Sequence, residues 1–202
     1  MIYDGLPSSP AALRNREPIL SVLRRVLPAA GLVLEVASGT GEHALAFAAA
    51  LPNHLWQPTD RDPVARDAVA ARTATAGLPN LLPPLALDAS APSWAVAAAD
   101  AVVAVNLIHI APIAACAGLM SGAGRILPER GVLYVYGPFL EADREPAPSN
   151  LAFDADLRAR NPEWGLRQLE EVAALARGAG LDLAERIDMP ANNLSLVFRR
   201  RA

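Results

Sequence analysis

The stretch LVLEVASGTGEHALAF, residues 32–47, limits the possible folds of this chain more than any other. An apolar run that contains valines ends at SGTG, residues 38–41, and helix-forming residues follow from Glu42. This order predicts a strand, a glycine turn and the N-terminus of a helix. Glycines let a ligand approach the backbone, and the free N–H groups of a first helical turn attract polar and anionic groups. The loop is therefore expected to bind a nucleotide-like small molecule.

The same glycines also fit a dinucleotide-binding pattern. Gly39, Gly41 and Ala44 satisfy the spacing G-x-G-x-x-A, which marks many dinucleotide-binding loops. The loop by itself therefore leaves its occupant open, and the residues that follow the other strands must decide.

The composition favours one globular domain, residues 1–202, with a small molecule as its partner. The chain has 202 residues, of which 52% are hydrophobic and 19% charged, enough for one well-filled core. The net charge is −3 and the longest block of like charge is 199–201, so no nucleic-acid surface is indicated. A lone Cys116 excludes an internal disulfide framework, and three scattered histidines lack the spacing of a zinc site, so no metal is expected.

The sequence also predicts a cytoplasmic protein with no membrane partner. Asp4 and Pro7 stand where a signal peptide would need a basic start and an apolar core. The longest apolar stretch, 101–120, is interrupted by an asparagine, a histidine and a proline, which suits a buried strand and a helix better than a membrane span. All 18 basic residues are arginines, so Schiff-base chemistry on a lysine is excluded.

Hydrophobic periodicity divides the chain into alternating strands and helices. Ser9 before Pro10 predicts a capped helix, which Pro18 is expected to split into two short ones. Strands are expected at 32–37, 54–57, 83–87, 100–105 and 131–139, and helices at 42–51, 63–76, 112–127, 151–160 and 168–178. Residues 181–189 and 194–199 are joined by four residues, too few for a crossover helix, so they predict an antiparallel hairpin.

Strand–helix units followed by a hairpin predict an α/β fold, a doubly wound and mostly parallel seven-stranded sheet with an antiparallel C-terminal β-hairpin. In such sheets the ligand lies beyond the carboxyl ends of the strands, where the strand order reverses. Polar residues follow the predicted strands at these ends: Asp60, Asp88, residues 106–109 and residues 136–139. We expect them to form the site.

The linked motifs resemble those of class I S-adenosylmethionine-dependent methyltransferases, which share a Rossmann-like fold. The features are ExASGTG, an acid at the end of the second strand, Asp-Ala after the third strand and a closing hairpin. Over nearly the whole chain, the segments also resemble the little-characterised methyltransferase-like twenty-six family: RNREPIL, LEVASGTGEHA, LPNHLWQPTDRDP, NLIHIAP, YGPF, PSNLAFDADLRARNPEWG and PANNLSLVFRR. The resemblance implies S-adenosylmethionine as cofactor and S-adenosylhomocysteine as product, and names no substrate.

The resemblance also implies roles on the cofactor side. Gly39 and Gly41 would allow close approach of the methionine moiety, or would serve only as a packing turn. Glu35 resembles the acid beneath the amino-acid end of the cofactor, and could equally anchor the loop. Asp60 would accept both ribose hydroxyls, while Asp62 is better placed to cap the next helix. The full set of expected cofactor residues is Glu35, Ser38, Gly39, Thr40, Gly41, Asp60, Asp88, Ala89 and Asn106.

Methyl transfer from a sulfonium is an in-line displacement that needs a base only if the acceptor must lose a proton. His109 titrates near neutral pH close to a strand end, so it could be that base or a scaffold residue. Asn106 and Tyr136 could orient the acceptor, or could satisfy loop backbone groups. These three residues are the candidates for catalysis.

A polar cluster is expected to form the rim of a substrate pocket. Arg16 could grip a carboxylate or phosphate through its planar fork, although the asparagines could instead serve as helix caps and turn residues. The expected substrate residues are Asn15, Arg16, His109, Tyr136, Asn150, Asn192 and Asn193. Residues 1–28 would form a helical lid over this pocket, together with the loop 141–150.

Three functions remain open from the sequence. The first is methyl transfer to O, N or S of a small polar acceptor. The second is a binding protein that holds S-adenosylmethionine without turnover. The third, an NAD(P)-dependent oxidoreductase, is favoured only by G-x-G-x-x-A and disfavoured by the absence of the Tyr-x-x-x-Lys pair, which a chain without lysine cannot have.

Overall fold

A computed structural model describes residues 2–3, 6–7 and 9–202 of the chain, so positions 1, 4, 5 and 8 of the expected lid lie outside the described residues. The helices are α1 (Pro10–Val26), α2 (Glu42–Ala50), α3 (Pro63–Ala76), α4 (Ile113–Ile126), α5 (Pro148–Arg160) and α6 (Leu169–Gly178). The strands are β1 (Ile2–Tyr3), β2 (Leu6–Pro7), β3 (Gly31–Val36), β4 (His54–Asp60), β5 (Leu85–Ala86), β6 (Ala101–Val105), β7 (Val132–Gly137), β8 (Phe139–Leu140), β9 (Arg167–Gln168), β10 (Leu181–Met189) and β11 (Asn193–Arg200).

Within the described residues, seven strands form one sheet in the order β10-β11-β7-β6-β3-β4-β5. The pairs from β7 to β5 are parallel, while β11 pairs antiparallel with both β7 and β10. The predicted doubly wound sheet with a C-terminal antiparallel hairpin is therefore confirmed. The strand order reverses between β3 and β6, because the chain first runs outward to β5 and then returns to β6. Ligands bind such sheets at this point.

Two apolar clusters cover the two faces of the sheet. Val33 of β3 packs with α1 and α2 on one face, while its neighbour Leu34 packs with α4 and α6 on the other. The same alternation occurs in β6, where Val102 and Val103 belong to opposite clusters. Strands buried on both faces explain why the sequence shows continuous apolar runs at these positions.

The prediction that Pro18 divides the first helix is wrong, because α1 is one unbroken helix of 17 residues that contains Pro18. A proline inside a helix costs about 3 kcal/mol, since it cannot donate to the carbonyl four residues earlier. Buried apolar side chains follow it at Ile19, Leu20, Leu23 and Val26. Each contributes about 1.5–3 kcal/mol when fully buried, so packing against the sheet offsets the lost hydrogen bond.

Several element boundaries also differ from those predicted. The expected strand 131–139 ends at Gly137, and β8 leaves the main sheet to pair with β9 in a small parallel sheet. Strand β9 was not predicted from the sequence, because its two residues are polar and adjoin a helix. Helix α5 begins at Pro148, three residues before the predicted start, so the expected loop 141–150 is shorter. The predicted caps Ser9 and Asp62 are confirmed, since each side chain accepts a hydrogen bond from the first turn of its helix.

In the described part of the chain, none of the helices has the length and apolar character needed to cross a membrane.

Candidate active site

The glycine loop after β3 turns the chain through left-handed backbone conformations. Gly39 has a φ of 55° and Gly41 a φ of 84°. A Cβ atom at Gly39 would meet nothing within 4 Å, whereas one at Gly41 would lie 3.0 Å from Cγ2 of Val69. The two glycines therefore differ in their roles, since Gly39 presents open backbone and Gly41 allows α2 to pack close to α3.

Hydrogen bonds connect this loop to the end of β4. The backbone N–H of Gly39 donates to Oδ2 of Asp60 at 2.9 Å, and Oδ1 of Asp60 accepts from the N–H of Asp62 at 2.9 Å. The N–H of Ser38 donates to the carbonyl of Thr59 at 2.8 Å. Asp60 is thereby held in one orientation beside Gly39, and each carboxylate oxygen still has capacity to accept from a ligand.

Glu35 is buried below the loop, with an exposed fraction of 1%. Burial raises the pKa of Glu35 to about 7, although hydrogen bonds from Trp56 and Ser38 oppose the shift. The indole Nε1 of Trp56 donates to Oε2 of Glu35 at 2.7 Å. Trp56 is not among the site residues expected from the sequence. The register between β3 and β4 explains the contact. Trp56 lies opposite Val33, and it is therefore on the same face of the sheet as Glu35.

The first two residues of α2 hold the start of α1 against the glycine loop. The N–H of Ser9 donates to Oε1 of Glu42 at 2.5 Å, and the hydroxyl of Thr40 donates to Oε2 of the same side chain. Nε2 of His43 lies 2.8 Å from Oδ1 of Asn15. The sequence analysis assigned no role to Glu42 or His43, because their partners are distant in the chain.

A cavity of about 320 Å³ lies at the reversal of strand order, above the carboxyl ends of β3, β4 and β6. Every expected cofactor residue except Gly41 lines it: Glu35, Ser38, Gly39, Thr40, Asp60, Asp88, Ala89 and Asn106. Ser9, Glu42 and His43 complete its wall on the side of α1. We call it the first cavity.

Asp88 has a turn role in addition to its place in the first cavity. Its Oδ1 accepts from the N–H of Ser90 at 2.8 Å and from the Ser90 hydroxyl at 2.6 Å. These hydrogen bonds lower the pKa of Asp88. The carboxylate is thus ionised and oriented at the end of β5.

A second cavity, of about 670 Å³, adjoins the first and shares Asn106 and Ile110 with it. Asn106 has a left-handed φ of 56° directly after β6, which places it between the two spaces. Six of the seven expected substrate residues line the second cavity: Asn15, His109, Tyr136, Asn150, Asn192 and Asn193.

Arg16 is the expected substrate residue that lines neither cavity. Its Nε lies 3.8 Å from Glu17. Arg14 lines the second cavity instead, together with Ala11 and Asn15. These three residues have the i, i+3, i+4 spacing of one helix face, whereas Arg16 falls on another. The sequence alone does not show which face of α1 meets the cavity, so it could not separate Arg14 from Arg16.

His109 is 2% exposed, and its Nδ1 has no hydrogen-bond partner in the described part of the chain. Burial and the nearby Arg167 guanidinium lower the pKa of His109 to about 4. The ring also packs edge-to-face against Phe153, with centroids 5.8 Å apart. His109 is therefore neutral near pH 7 and can accept a hydrogen bond through its unprotonated nitrogen.

The asparagines of the rim join the C-terminal hairpin to α5. Nδ2 of Asn150 donates to the carbonyl of Asn192 at 3.0 Å, and Nδ2 of Asn192 donates to the Ser149 hydroxyl at 3.0 Å. Nδ2 of Asn193 donates to Pro190 and Ala191 carbonyls within the turn. The amide groups thus have structural roles, which agrees with the turn alternative, and they also converge on one cavity.

Tyr136 lies at the carboxyl end of β7 and is buried. Burial raises the pKa of Tyr136, and a hydrogen bond with Asn15 opposes that shift. Its hydroxyl is consequently neutral at physiological pH.

The same fold occurs in solved methyltransferase structures. An O-methyltransferase family protein from Burkholderia thailandensis superposes with a TM-score of 0.77 at 18% identity, over 95% of this chain and 58% of its own. Human N-acetylserotonin methyltransferase, solved in complex with S-adenosylmethionine, superposes with a TM-score of 0.79 at 14% identity, over 95% of this chain and 53% of its own. An O-methyltransferase family 2 protein from Planctomyces limnophilus, solved with apigenin, superposes with a TM-score of 0.75 at 21% identity, over 98% of this chain and 63% of its own.

The fold of this chain is thus the Rossmann-like fold of S-adenosylmethionine-dependent methyltransferases, and the chain spans 53–63% of the length of these three proteins. A family model described as "Protein of unknown function (DUF938)" matches residues 6–200. The chain belongs to that family.

Proposed function

We propose that this protein is a methyltransferase that uses S-adenosylmethionine to methylate a small polar acceptor. The observation that carries the proposal is the arrangement of the two cavities. The first cavity, lined by all the expected cofactor residues except Gly41, adjoins at Asn106 a second cavity lined by six of the seven expected substrate residues. The sequence resemblance to the methyltransferase-like twenty-six family supports the same function.

The residues of the first cavity fit the cofactor chemically. The open backbone at Gly39 admits the methionine moiety, and Glu35 beneath it supplies a carboxylate for an ammonium group. Asp60 is oriented to accept from ribose hydroxyls, and Asp88 and Ala89 lie where the adenine would bind. When bound, S-adenosylmethionine supplies a methyl group on a positively charged sulfur.

The residues of the second cavity orient and activate the acceptor. Fixing two reactants in line contributes about 7–11 kcal/mol in favourable cases, so positioning is the main contribution of Asn106 and Tyr136. If the acceptor loses a proton, the neutral ring of His109, which lines the second cavity, is the candidate base. Helix α1 contributes Ala12 to the first cavity and Asn15 to the second, which supports the proposal that the N-terminal helix is a shared lid of a single domain.

Calorimetry with S-adenosylmethionine, S-adenosylhomocysteine and NAD tests the cofactor. We expect binding of the first two and none of NAD. Asp60→Asn should weaken binding about ten- to a hundredfold, because a charge-assisted hydrogen bond becomes a neutral one. Asp67→Asn on the exposed surface of α3 is the matched control and should bind normally. Tight NAD binding, or equal affinities for the two variants, would contradict the proposal.

Turnover is tested separately with a labelled methyl group and a library of small acceptors. Transfer that depends on His109 or Asn106 supports a methyltransferase. Normal cofactor binding without transfer to any acceptor would favour the alternative of a binding protein.

A further inference from the structure

We propose that the second cavity binds an acceptor substrate with a carboxylate on an apolar body, and that Arg14 and Tyr136 hold the carboxylate. This inference rests on the proposed function, because it names the class of molecule that would receive the methyl group.

The first observation is the charge of the second cavity. Among the described residues that line it there is no aspartate or glutamate, and Arg14 is the one of them that carries a formal charge at neutral pH. Burial lowers the pKa of the other basic group, His109, to about 4, so that ring adds no charge. The Arg14 guanidinium has no hydrogen bond or ion pair with residues 9–202. An unpaired guanidinium fork favours a planar anion over an amine, which it would repel.

Neighbouring arginines are paired, which sets Arg14 apart. A small adjoining cavity is lined by Arg144 and Arg186. Arg186 forms a two-pronged ion pair with Glu141 at 2.7 and 2.8 Å, and Arg144 lies 3.5 Å from Asp188. Those charges are already compensated by protein carboxylates, whereas none of the carboxylates in the described part of the chain pairs with Arg14.

The second observation is a hydrogen-bond relay that determines the direction of the Tyr136 hydroxyl. Asn15, His43 and Tyr136 are 8%, 9% and 2% exposed, so their polar atoms depend on one another. Oδ1 of Asn15 can only accept, so His43 Nε2, at 2.8 Å, must donate to it. Burial lowers the pKa of His43 to about 4, which keeps the ring neutral and this tautomer in place.

The relay continues from Asn15 to Tyr136. Both residues line the second cavity, and a hydrogen bond from Asn15 opposes the rise in the pKa of Tyr136. A hydrogen bond that favours the ionised phenol comes from a donor, so we assign it to Nδ2, the donor group of the Asn15 amide. The hydrogen of the Tyr136 hydroxyl is then left to donate to an acceptor in the second cavity. His43 is thus a positioning residue, which acts on the substrate through Asn15 and Tyr136.

The third observation is the apolar part of the wall. Ile110 and Phe153 line the second cavity with 43% and 37% of their surface exposed, and Pro138 lies beside them. Large apolar side chains exposed in a concavity are best covered by an apolar ligand. The second cavity thus combines the Arg14 guanidinium, the Tyr136 hydroxyl and an apolar wall. This combination selects an apolar molecule with one anionic oxygen group.

The test uses cinnamate and cinnamamide, which have the same shape and differ in charge. Each is titrated into the protein saturated with S-adenosylhomocysteine, and binding is followed by calorimetry or ligand-observed NMR. We expect cinnamate to bind about tenfold or more tightly than cinnamamide. Arg14→Gln should abolish this preference, while Arg24→Gln, an exposed arginine on the same helix, should retain it. Equal binding, binding of neither probe, or a preference that survives Arg14→Gln overturns the proposal.

The relay is tested by a pair of substitutions at His43. His43→Phe keeps a ring but cannot donate to Asn15, so the preference for cinnamate should fall severalfold, as in Tyr136→Phe. His43→Gln restores a donor and should restore the preference, which loss of packing alone would not predict. If His43→Gln and His43→Phe behave alike, His43 does not position Tyr136.

The same titrations without S-adenosylhomocysteine separate this inference from the proposed function. A wild-type protein that fails to bind S-adenosylhomocysteine contradicts the proposed function. If that protein still prefers cinnamate through Arg14, the carboxylate site itself is retained.

Discussion

At the scale of single residues, the site depends on side chains whose neighbours change their chemistry. Glu35 is a carboxyl group that water does not reach, and its hydrogen bond from Trp56 only partly offsets the loss of hydration. Asp60 lines the same cavity and differs from Glu35 in its partners, because it accepts from two backbone N–H groups. Similar carboxyl groups on adjacent strands therefore have different hydrogen-bond partners at one cavity.

The pKa of Glu35 leads to a prediction about stability without ligand. The folded-state pKa, about 7, lies above the ordinary value of 4.5, so folding favours the protonated form. This stability is fully present below pH 4.5 and is lost as the pH rises to about 7. The total loss is about 3 kcal/mol, since one pKa unit corresponds to about 1.36 kcal/mol. Glu35→Gln stays neutral and keeps an oxygen acceptor for Trp56, so it should lose less stability between pH 5 and pH 8.

Urea unfolding of wild type and variant at both pH values measures this difference. The buried His43 and His109 titrate equally in both proteins, so their contributions cancel. Glu129→Gln at an exposed position is the control and should follow the wild type. If the difference in the free energy of unfolding between wild type and Glu35→Gln does not change with pH, the pKa of Glu35 is not raised.

At the scale of elements, α1 shows how packing can exceed local propensity. Its buried side chains belong to the same apolar cluster as β3 and α2. Because the helix is unbroken, one face carries Ala11, Arg14 and Asn15 to the second cavity, while Ser9 and Ala12 reach the first. The orientation of this helix therefore places Arg14, and not Arg16, at the second cavity.

Replacing Pro18 should stabilise the protein. Pro18→Ala restores the N–H that can donate to the carbonyl of Arg14, and we expect a gain of about 1–2 kcal/mol after the greater freedom of the unfolded chain is included. Pro10→Ala is the matched control, because proline is well tolerated at the first position of a helix. Urea denaturation at constant pH measures both variants. If Pro18→Ala is no more stable than Pro10→Ala, the missing hydrogen bond has little cost in this helix.

At the scale of the whole molecule, the C-terminal hairpin joins the sheet to the rim of the second cavity. Strand β10 is at the edge of the sheet and pairs with β11 within that sheet. Arg186 of β10 reaches across to Glu141, after β8, with both side chains about four-fifths buried. The hairpin thus restrains the segment 141–147, which leads into α5 and Asn150.

Loss of this ion pair should loosen that connection. Arg186→Gln leaves the buried Glu141 carboxylate without its partner, so we expect a loss of about 2–3 kcal/mol in the free energy of unfolding. Arg144→Gln removes a more exposed arginine that lies 3.5 Å from Asp188, and it should change stability by less than about 0.5 kcal/mol. Urea unfolding compares the two variants, and hydrogen exchange of residues 141–147 shows whether the segment opens. Equal effects of the two substitutions would contradict a specific role for Arg186.

The sequence by itself determined the features that depend on neighbouring residues. The glycine loop, the caps Ser9 and Asp62, the parallel strands and the C-terminal hairpin each follow from a local pattern of residue types. Most of the expected cofactor residues also meet in one cavity, because carboxyl ends of parallel strands share one edge of the sheet.

The tertiary structure alone decided which side chains meet across distant segments. The hydrogen bonds of Trp56 to Glu35 and of His43 to Asn15 each join residues more than 20 positions apart. The choice of Arg14 over Arg16 depended on which face of α1 packs against the sheet and which face lines the second cavity. Local propensity cannot predict these contacts, because the free energy that stabilises them comes from burial between elements rather than from any one element.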